Sequence, residues 1–411
     1  MGSAVKIAKL ERSVSPSAIS QSSVTLGPKR DAASLQGVKV CHVSPIEGGL
    51  DSRACTRQGF PSVSYGLSVS MVGPHDQAGS IQNVEFIPVA TSRNRALRIL
   101  RAPNGAFRAL RQNADIYHVH SPENIPTGLL LKWLFGKRVV YDSREDFPAM
   151  MLNKTYLPTG LRRLAQKAVF RAERLAATCF DGFVTADAGT LRPHGKVGKS
   201  KKLVFYNLPN LEFFPKPMGG DKSFDLVYRG GLSERAGTLV LLEALRMLTD
   251  VGLRASLLMF GYTDNEDARR LIKNRILALE LENQVTLGGR IPHDQMAATL
   301  SRARVAVCPL QKNPKFLNNI PVKVFESWAC ELPVVSTDLA PIRPFYSRDQ
   351  HHLLVKPGDP RDLARAIREL LEHPGEIIRI GRQCRRKVIE RYNNANEIRK
   401  LLFFYQGILA N

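Results

Sequence analysis

The sequence predicts an α/β protein of two doubly wound, Rossmann-like domains facing a central cleft. Three observations lead there. The chain has 411 residues, more than one ordinary core holds, since domains of roughly 100 to 200 residues are usual. Short apolar runs alternate with helical stretches, the pattern of βαβ units whose parallel sheet is covered on both faces. The series also breaks once and starts again. The break follows Asn207-Leu-Pro-Asn210, where prolines and acidic residues fill a polar stretch reaching Asp221.

The first series places strands at 38–43, 67–72, 84–89, 116–120, 139–142 and 183–186. The second places them at 224–228, 255–260, 285–288, 305–310, 334–337 and 353–355, with helices such as 238–250 and 361–372 between them. Five segments result: a flexible basic tail at 1–36, an N-terminal domain at 37–208, a linker at 209–221, a C-terminal domain at 222–390, and a helix at 391–411 expected to pack back on the N-terminal domain. Sheets of this kind bind ligands at the carboxyl ends of their strands, so functional residues are sought in the loops that follow strands.

Lys and Arg number 59 against 37 Asp and Glu, a formal net charge of +22, and most of the excess lies in the first 210 residues. Such a field favours polyanions: nucleic acid, an anionic lipid surface or phosphorylated small molecules. Nucleic acid is set aside, because there are only two Trp and no zinc-ligand, helix-turn-helix or RNP-like pattern among the basic residues. The six cysteines are scattered without a C-x-x-C pair, which reads as reduced, buried thiols and suits the cytoplasm. No apolar run approaches the roughly 18 residues that span a bilayer, and the N-terminus lacks an apolar core after its basic residues. The expectation is a protein that neither crosses the membrane nor is exported by this route.

Five stretches carry possible chemistry. After the first strand, Gly48 and Gly49 either let backbone N–H groups approach an anion or form an ordinary tight turn. In Tyr117-His-Val-His120, His118 and His120 share a face, as proton carriers or as satisfied core residues; no third ligand stands at zinc spacing. Asp142, Arg144 and Glu145 end another strand and either orient hydroxyls or serve as a helix cap and surface ion pair. In Tyr228-Arg-Gly-Gly-Leu-Ser-Glu-Arg-Ala-Gly237, the glycines with Arg229 and Arg235 make a plausible diphosphate clamp, since Arg offers phosphate a bidentate fork. Lys323 and Glu326 stand at i and i+3 of one helix, as a helix salt bridge or as ligand groups.

Taken in this order, these stretches resemble family 4 glycosyltransferases of GT-B fold over about residues 37 to 409. The resemblance rests on the Gly-Gly loop, Asp51 and Arg53, the His-x-His strand end, Tyr-Asp-x-x-Glu, Pro209-Asn210, Tyr-x-Gly before a Leu-rich helix, Pro-x-Lys-x-x-Glu and Lys356-Pro-Gly-Asp-Pro360. It implies a retaining transferase that takes a sugar from a UDP- or GDP-linked donor to a saccharide or lipid-linked acceptor in cell-surface polysaccharide synthesis. The donor would lie in the C-terminal domain, on Gly230, Arg229, Arg235, Asn318, Lys323 and Glu326, and the acceptor in the N-terminal one. Glu326 matches the ribose-binding glutamate, and Asn318 stands where many members carry a second Glu. The implied catalytic set is His120, Asn318 and Glu326, with Gly48, Gly49, Asp142 and Glu145 on the acceptor side, no metal, and no cofactor besides the donor substrate. The chain departs from the family at Gly231 and Ala236, where a basic pair is usual, and at Arg144, where a subgroup has His. A GT-B sugar-nucleotide epimerase and an inactive transferase-like subunit are the alternatives.

Residues 157–177 repeat Leu and Ala at helical spacing among Arg162, Arg163, Lys167, Arg171 and Arg174, and the stretch from Arg93 to Arg111 holds six Arg and no acidic residue. These segments predict reversible attachment to an anionic membrane at its cytoplasmic face.

Overall fold

The computed structural model describes residues 35–44, 53–75, 78–90, 100, 102–152, 154, 157–217, 222–263 and 266–410. Gly48, Gly49, Asp51 and part of the Arg93–Arg111 stretch lie outside them. The chain divides into two units, Pro28–Asn207 with Asn394–Asn411, and Leu208–Asn393.

The first unit contains strands β1 (Lys39–Val43), β2 (Ser68–Gly73), β3 (Gly79–Ile81), β4 (Val84–Pro88), β5 (Ile116–His120), β6 (Val139–Ser143), β7 (Gly182–Thr185) and β8 (Lys201–Val204). Their order in the sheet is β3-β4-β2-β1-β5-β6-β7-β8. The β3–β4 hairpin is antiparallel, and the other pairs are parallel. The order reverses between β1 and β5, and at such a reversal the loops on either side diverge and open a crevice. Alternate residues feed two cores. Cys41, Tyr117, Val119, Val139, Tyr141 and Phe183 face one side. There they meet α2 (Ala102–Leu110), α3 (Ile125–Trp133) and α5 (Thr159–Cys179). Val40, Met71, Ile116, Val140 and Val184 face the other side. Shorter helices α1 (Phe60–Val63), α4 (Phe147–Leu152) and α6 (Ala188–Leu191) complete this part of the unit.

The second unit holds β9 (Phe224–Arg229), β10 (Leu257–Phe260), β11 (Val285–Gly288), β12 (Ala303–Cys308), β13 (Val334–Thr337) and β14 (Leu354–Val355). Their order is β11-β10-β9-β12-β13-β14, all parallel, and the reversal falls between β9 and β12. Helices α7 (Thr238–Asp250), α8 (Glu266–Ala278), α9 (Met296–Ser301), α10 (Val322–Ala329), α11 (Pro360–Glu372) and α12 (Pro374–Glu390) accompany them. Local chemistry sets their ends. α7 starts where Gly237 takes φ +78°, then buries Leu241, Leu242, Leu245 and Leu248 at helical spacing. α11 begins with Pro360 in its first turn, after Asp359 accepts from the N–H groups of Arg361 and Asp362.

The last helix, α13 (Asn394–Leu409), belongs to the first unit. Ile398, Leu401, Leu402, Tyr405 and Ile408 form one stripe, and all enter the core beside Val40, Ile116 and Val184. Each such side chain contributes roughly 1.5–3 kcal/mol by leaving water, so this stripe holds the helix to the sheet. Both sheets are of the doubly wound kind that the alternating pattern predicts. Among the described residues, no helix is long and apolar enough to cross a membrane.

Candidate functional site

In the second unit the strand ends at the β9/β12 reversal are tied together backbone to backbone. Gly230, directly after β9, has φ +148°, and Gly261, directly after β10, has φ +146°. A Cβ on Gly261 would overlap the Gly230 carbonyl oxygen, and one on Gly237 would overlap the carbonyl of Pro309, beyond β12. Only glycine permits such approach at these angles. The Gln311 N–H also donates to the Arg235 carbonyl at 3.1 Å.

Charge gathers on this frame. On α10, Val324, Phe325, Trp328 and Ala329 turn into the core. That leaves Lys323 and Glu326 on a common face. The Arg229 guanidinium donates to the Glu326 carboxylate, forming an ion pair. His293, in the turn after β11, places Nε2 3.8 Å from the other Glu326 oxygen. Phe213 and Phe214 meet the His293 ring edge-on, with centroids 5.0 and 5.8 Å away. The Lys323 ammonium lies 5.0 Å above the Tyr228 ring. Burial pushes its pKa below the ordinary lysine value, Cys308 opposes that shift, and Arg229 adds to it.

Arg229, Gly230, Lys323 and Glu326 are therefore assembled in one place. Arg235 is exposed in the turn Glu234–Ala236, and Asn318 is half-buried in the turn leading to α10. The neutral residues at 231 and 236 sit in different surroundings. A Cβ on Gly231 would come within 3.3 Å of the exposed Tyr262 ring, and Ala236 is buried. His293 and Tyr262 were not singled out from the sequence. Both follow second-unit strands, which is the signal that marks them.

In the first unit, register builds a polar cluster on the α13 side of the sheet. His42 of β1 pairs with His118 of β5, and His120 of β5 pairs with Asp142 of β6. The three imidazoles stack with centroids 4.8–5.2 Å apart and planes within 25°. His42 Nδ1 and His120 Nε2 share a 2.9 Å hydrogen bond, and His118 Nδ1 and the Tyr405 hydroxyl share one of 2.6 Å. Asp142, with no exposed surface, accepts from Arg53 at 3.1 and 3.2 Å and from Gln58 at 2.7 Å. The segment Arg53–Gly59 is a π-helix, whose i to i+5 alignment turns Arg53 and Gln58 toward the same carboxylate. Burial alone would raise the Asp142 pKa, but the charge of Arg53, with hydrogen bonding and charge from His120, holds it below the carboxylate range. Burial first, then His120, pushes His42 and His118 well below the ordinary histidine value.

The sequence offered no third ligand at zinc spacing, yet the fold supplies one. Ligand atoms of His42, His118 and His120 lie within 4.8 Å of one another. Near-parallel rings point their nitrogens side by side, and the Arg53–Asp142 ion pair adjoins them, so the residues suit a hydrogen-bonded stack better than a tetrahedral ion site. His120 is 1% exposed. Asp142 is neither helix cap nor surface pair but half of a buried one. Glu145 is half-buried in the turn before α4, with its carbonyl oxygen 3.1 Å from Ser143 Oγ. His42, Gln58 and Tyr405 went unnoticed in the sequence. A polar residue at matching depth in three apolar strands was the available sign of His42.

Residues 212–391 match the profile of a family described as Glycosyl transferases group 1. This stretch contains every donor-side residue named above. The chain is 28% identical over 171 residues to the amylovoran biosynthesis glycosyltransferase AmsK of Erwinia amylovora, covering 41% of each chain. It is 26% identical over 199 residues to the putative colanic acid biosynthesis glycosyltransferase WcaL of Escherichia coli K12, covering 48% of each. The matched part thus spans less than half the length of these curated relatives. A crystal structure of Anabaena HepE in complex with UDP-glucose superposes with a TM-score of 0.70 at 13% identity, over 90% of this chain and 99% of that one. At that identity the likeness establishes the fold: two Rossmann-like parallel sheets, as in GT-B glycosyltransferases.

Proposed function

We propose that the chain is a retaining, metal-independent family 4 glycosyltransferase. It moves a sugar from a UDP- or GDP-linked donor to a saccharide or lipid-linked acceptor in cell-surface polysaccharide synthesis, peripherally at the cytoplasmic face of a membrane. The observation that carries the reading is the Arg229–Glu326–Lys323 constellation on the glycine-locked strand ends, inside the stretch that matches the group 1 profile. The relatives named for amylovoran and colanic acid synthesis support the polysaccharide context, and the UDP-glucose complex of HepE supports the donor class.

On this reading the donor ribose hydroxyls donate to Glu326, while the diphosphate lies against Arg229, Lys323 and Arg235 and Asn318 faces the sugar. The acceptor hydroxyl oxygen bonds to the anomeric carbon on the face from which the diphosphate departs, as the bond to the phosphate oxygen breaks; the electron pair leaves with the diphosphate, and the hydroxyl proton passes to a departing phosphate oxygen. Preorganised cations and backbone N–H groups offset the charge that develops there. Arg229 then exchanges a carboxylate for a phosphate, which keeps it paired throughout. On the acceptor side, Glu145 orients hydroxyls, with Gly48 and Gly49 as an anion-holding loop. His120, read from the family resemblance as catalytic, and Asp142, read as acceptor-side, are both buried, which supports a role in positioning the strand ends.

Thermal unfolding in the presence of UDP-, GDP- and ADP-sugars tests the donor assignment. A ligand at 100 times its dissociation constant adds about 2.7 kcal/mol of stability, enough to raise Tm measurably. No shift with any nucleotide sugar would contradict the reading.

A further inference from the structure

We propose that the outer surface of the α2–α3–α5 layer docks the protein on an anionic phospholipid bilayer. This extends the membrane-peripheral reading above by assigning the surface. The inner sides of these helices pack on the sheet through residues such as Ala106, Ala109, Leu131 and Ala177. Their outer sides are unusual for helices in water. Phe107 is 60% exposed, Trp133 63% and Leu134 70%, while on α5 Leu161 is 51% exposed, Leu164 62% and Leu175 40%. The Phe107 and Phe135 rings meet edge-on at 6.4 Å, so the ends of α2 and α3 form one apolar patch. Exposed aromatic and apolar side chains gathered on one helical layer mark an interaction site.

Charge selects the occupant. Across 102–113, 125–138 and 157–180 the one acidic residue is Glu173, and it is buried. Arg108, Arg111, Arg138, Arg163, Lys167 and Arg171 are exposed on the same segments. Apolar and aromatic side chains interleaved with cations match an anionic leaflet, where rings enter the headgroup layer and cations meet lipid phosphates. A second copy would bring cations against cations. Nucleic acid would leave the apolar side chains in water.

The two tryptophans make the surface observable, since Trp133 is exposed while Trp328 is fully buried. The full-length chain is mixed with vesicles of phosphatidylglycerol and phosphatidylcholine, or of phosphatidylcholine alone. With phosphatidylglycerol, tryptophan emission should shift to shorter wavelength and be quenched by bromine-labelled lipid, and Trp133→Phe should abolish both effects. Each cation near an anionic leaflet strengthens binding about fivefold, so Arg163→Ala, Lys167→Ala and Arg171→Ala together should weaken co-sedimentation on the order of a hundredfold. Phe107→Ser with Leu134→Ser should weaken it as well. Equal sedimentation of wild type and triple variant, or unchanged Trp133 emission in vesicle-bound protein, would overturn the proposal. So would a concentration-dependent shift of Trp133 emission in vesicle-free buffer, which would assign the patch to a second copy, or binding to duplex DNA but not to vesicles. Transfer to a soluble acceptor without vesicles reads the enzymatic assignment separately. An active protein that ignores vesicles refutes the membrane assignment and leaves the transferase reading standing, and one that binds vesicles but transfers sugar to neither a soluble nor a lipid-linked acceptor refutes the transferase reading alone.

Discussion

Glu326 is enclosed between Arg229 and His293, and the donor proposal asks it to accept from two ribose hydroxyls. Hydrogen bonds to a charged group are worth about 1.5–3 kcal/mol, so Glu326→Ala should weaken nucleoside diphosphate binding roughly tenfold to a hundredfold. Titration calorimetry checks this, with Glu326→Gln as a variant that keeps the volume. Wild-type affinity in both variants would remove Glu326 from the site.

Glu173 poses a different residue-scale question. It accepts from Tyr141 at 2.9 Å and Ser143 at 2.6 Å, and His194 Nε2 lies 3.8 Å away. Burial pushes its carboxyl up to about 7, while burial and Arg174 push His194 down to about 4. The folded state keeps the Glu173 proton above the ordinary 4.5, where the unfolded chain releases it. Its contribution to stability therefore falls as pH rises from about 4.5 to about 7. His194 works the other way, because the unfolded chain binds a proton between about 4 and 6.5 that the folded state refuses. The two nearly offset in the wild type. The difference between Glu173→Gln and wild type isolates the carboxyl, and the variant's relative stability should grow across that window by an amount on the order of 3 kcal/mol. Urea unfolding at several pH values measures it, and a difference independent of pH would show that the folded state does not hold the Glu173 proton.

At the level of elements, the loops after β9, β10 and β12 are held by backbone contact more than by side chains. Gly261→Ala places a Cβ on the Gly230 carbonyl at a φ that non-glycine residues avoid, and the backbone strain alone costs roughly 1–3 kcal/mol. A Tm drop accompanied by loss of nucleotide affinity is the expected outcome; unchanged Tm would show that the loops are not locked together. Gly230 and Gly237, and most strands, were legible in the sequence because apolar runs and glycines between a strand and a Leu-rich helix are local signals, whereas Gly261 was not singled out. β13 and α7 fall where the pattern puts them. β3 and β8 did not show, since β3 is a short exposed edge strand and Lys201-Lys202 leads β8 at the opposite edge. Nor did the pairing of His42 with His118. It depends on which strands become neighbours, and strand order is not written in any one of them. His293 follows a strand, but its contact with Glu326 was hidden for the same reason, because only the fold brings the turn after β11 to α10.

For the whole molecule, the claim is donor-dependent transfer without a metal. The sequence has no Asp-x-Asp at a strand end, and on the proposed reading Arg229 and Lys323 supply the positive charge. Turnover in excess EDTA should equal that with magnesium, and activity abolished by chelation and restored by magnesium would show that charge stabilisation by these side chains is insufficient. The most direct measurement follows nucleoside diphosphate released from the nucleotide sugar that stabilises the protein, with and without a saccharide or lipid-linked acceptor. Release should depend on acceptor, with the sugar recovered on the acceptor in its original anomeric configuration and the rate reduced in Glu326→Ala. Acceptor-independent conversion of the donor, or donor binding with no transfer to any acceptor, would contradict the transferase reading.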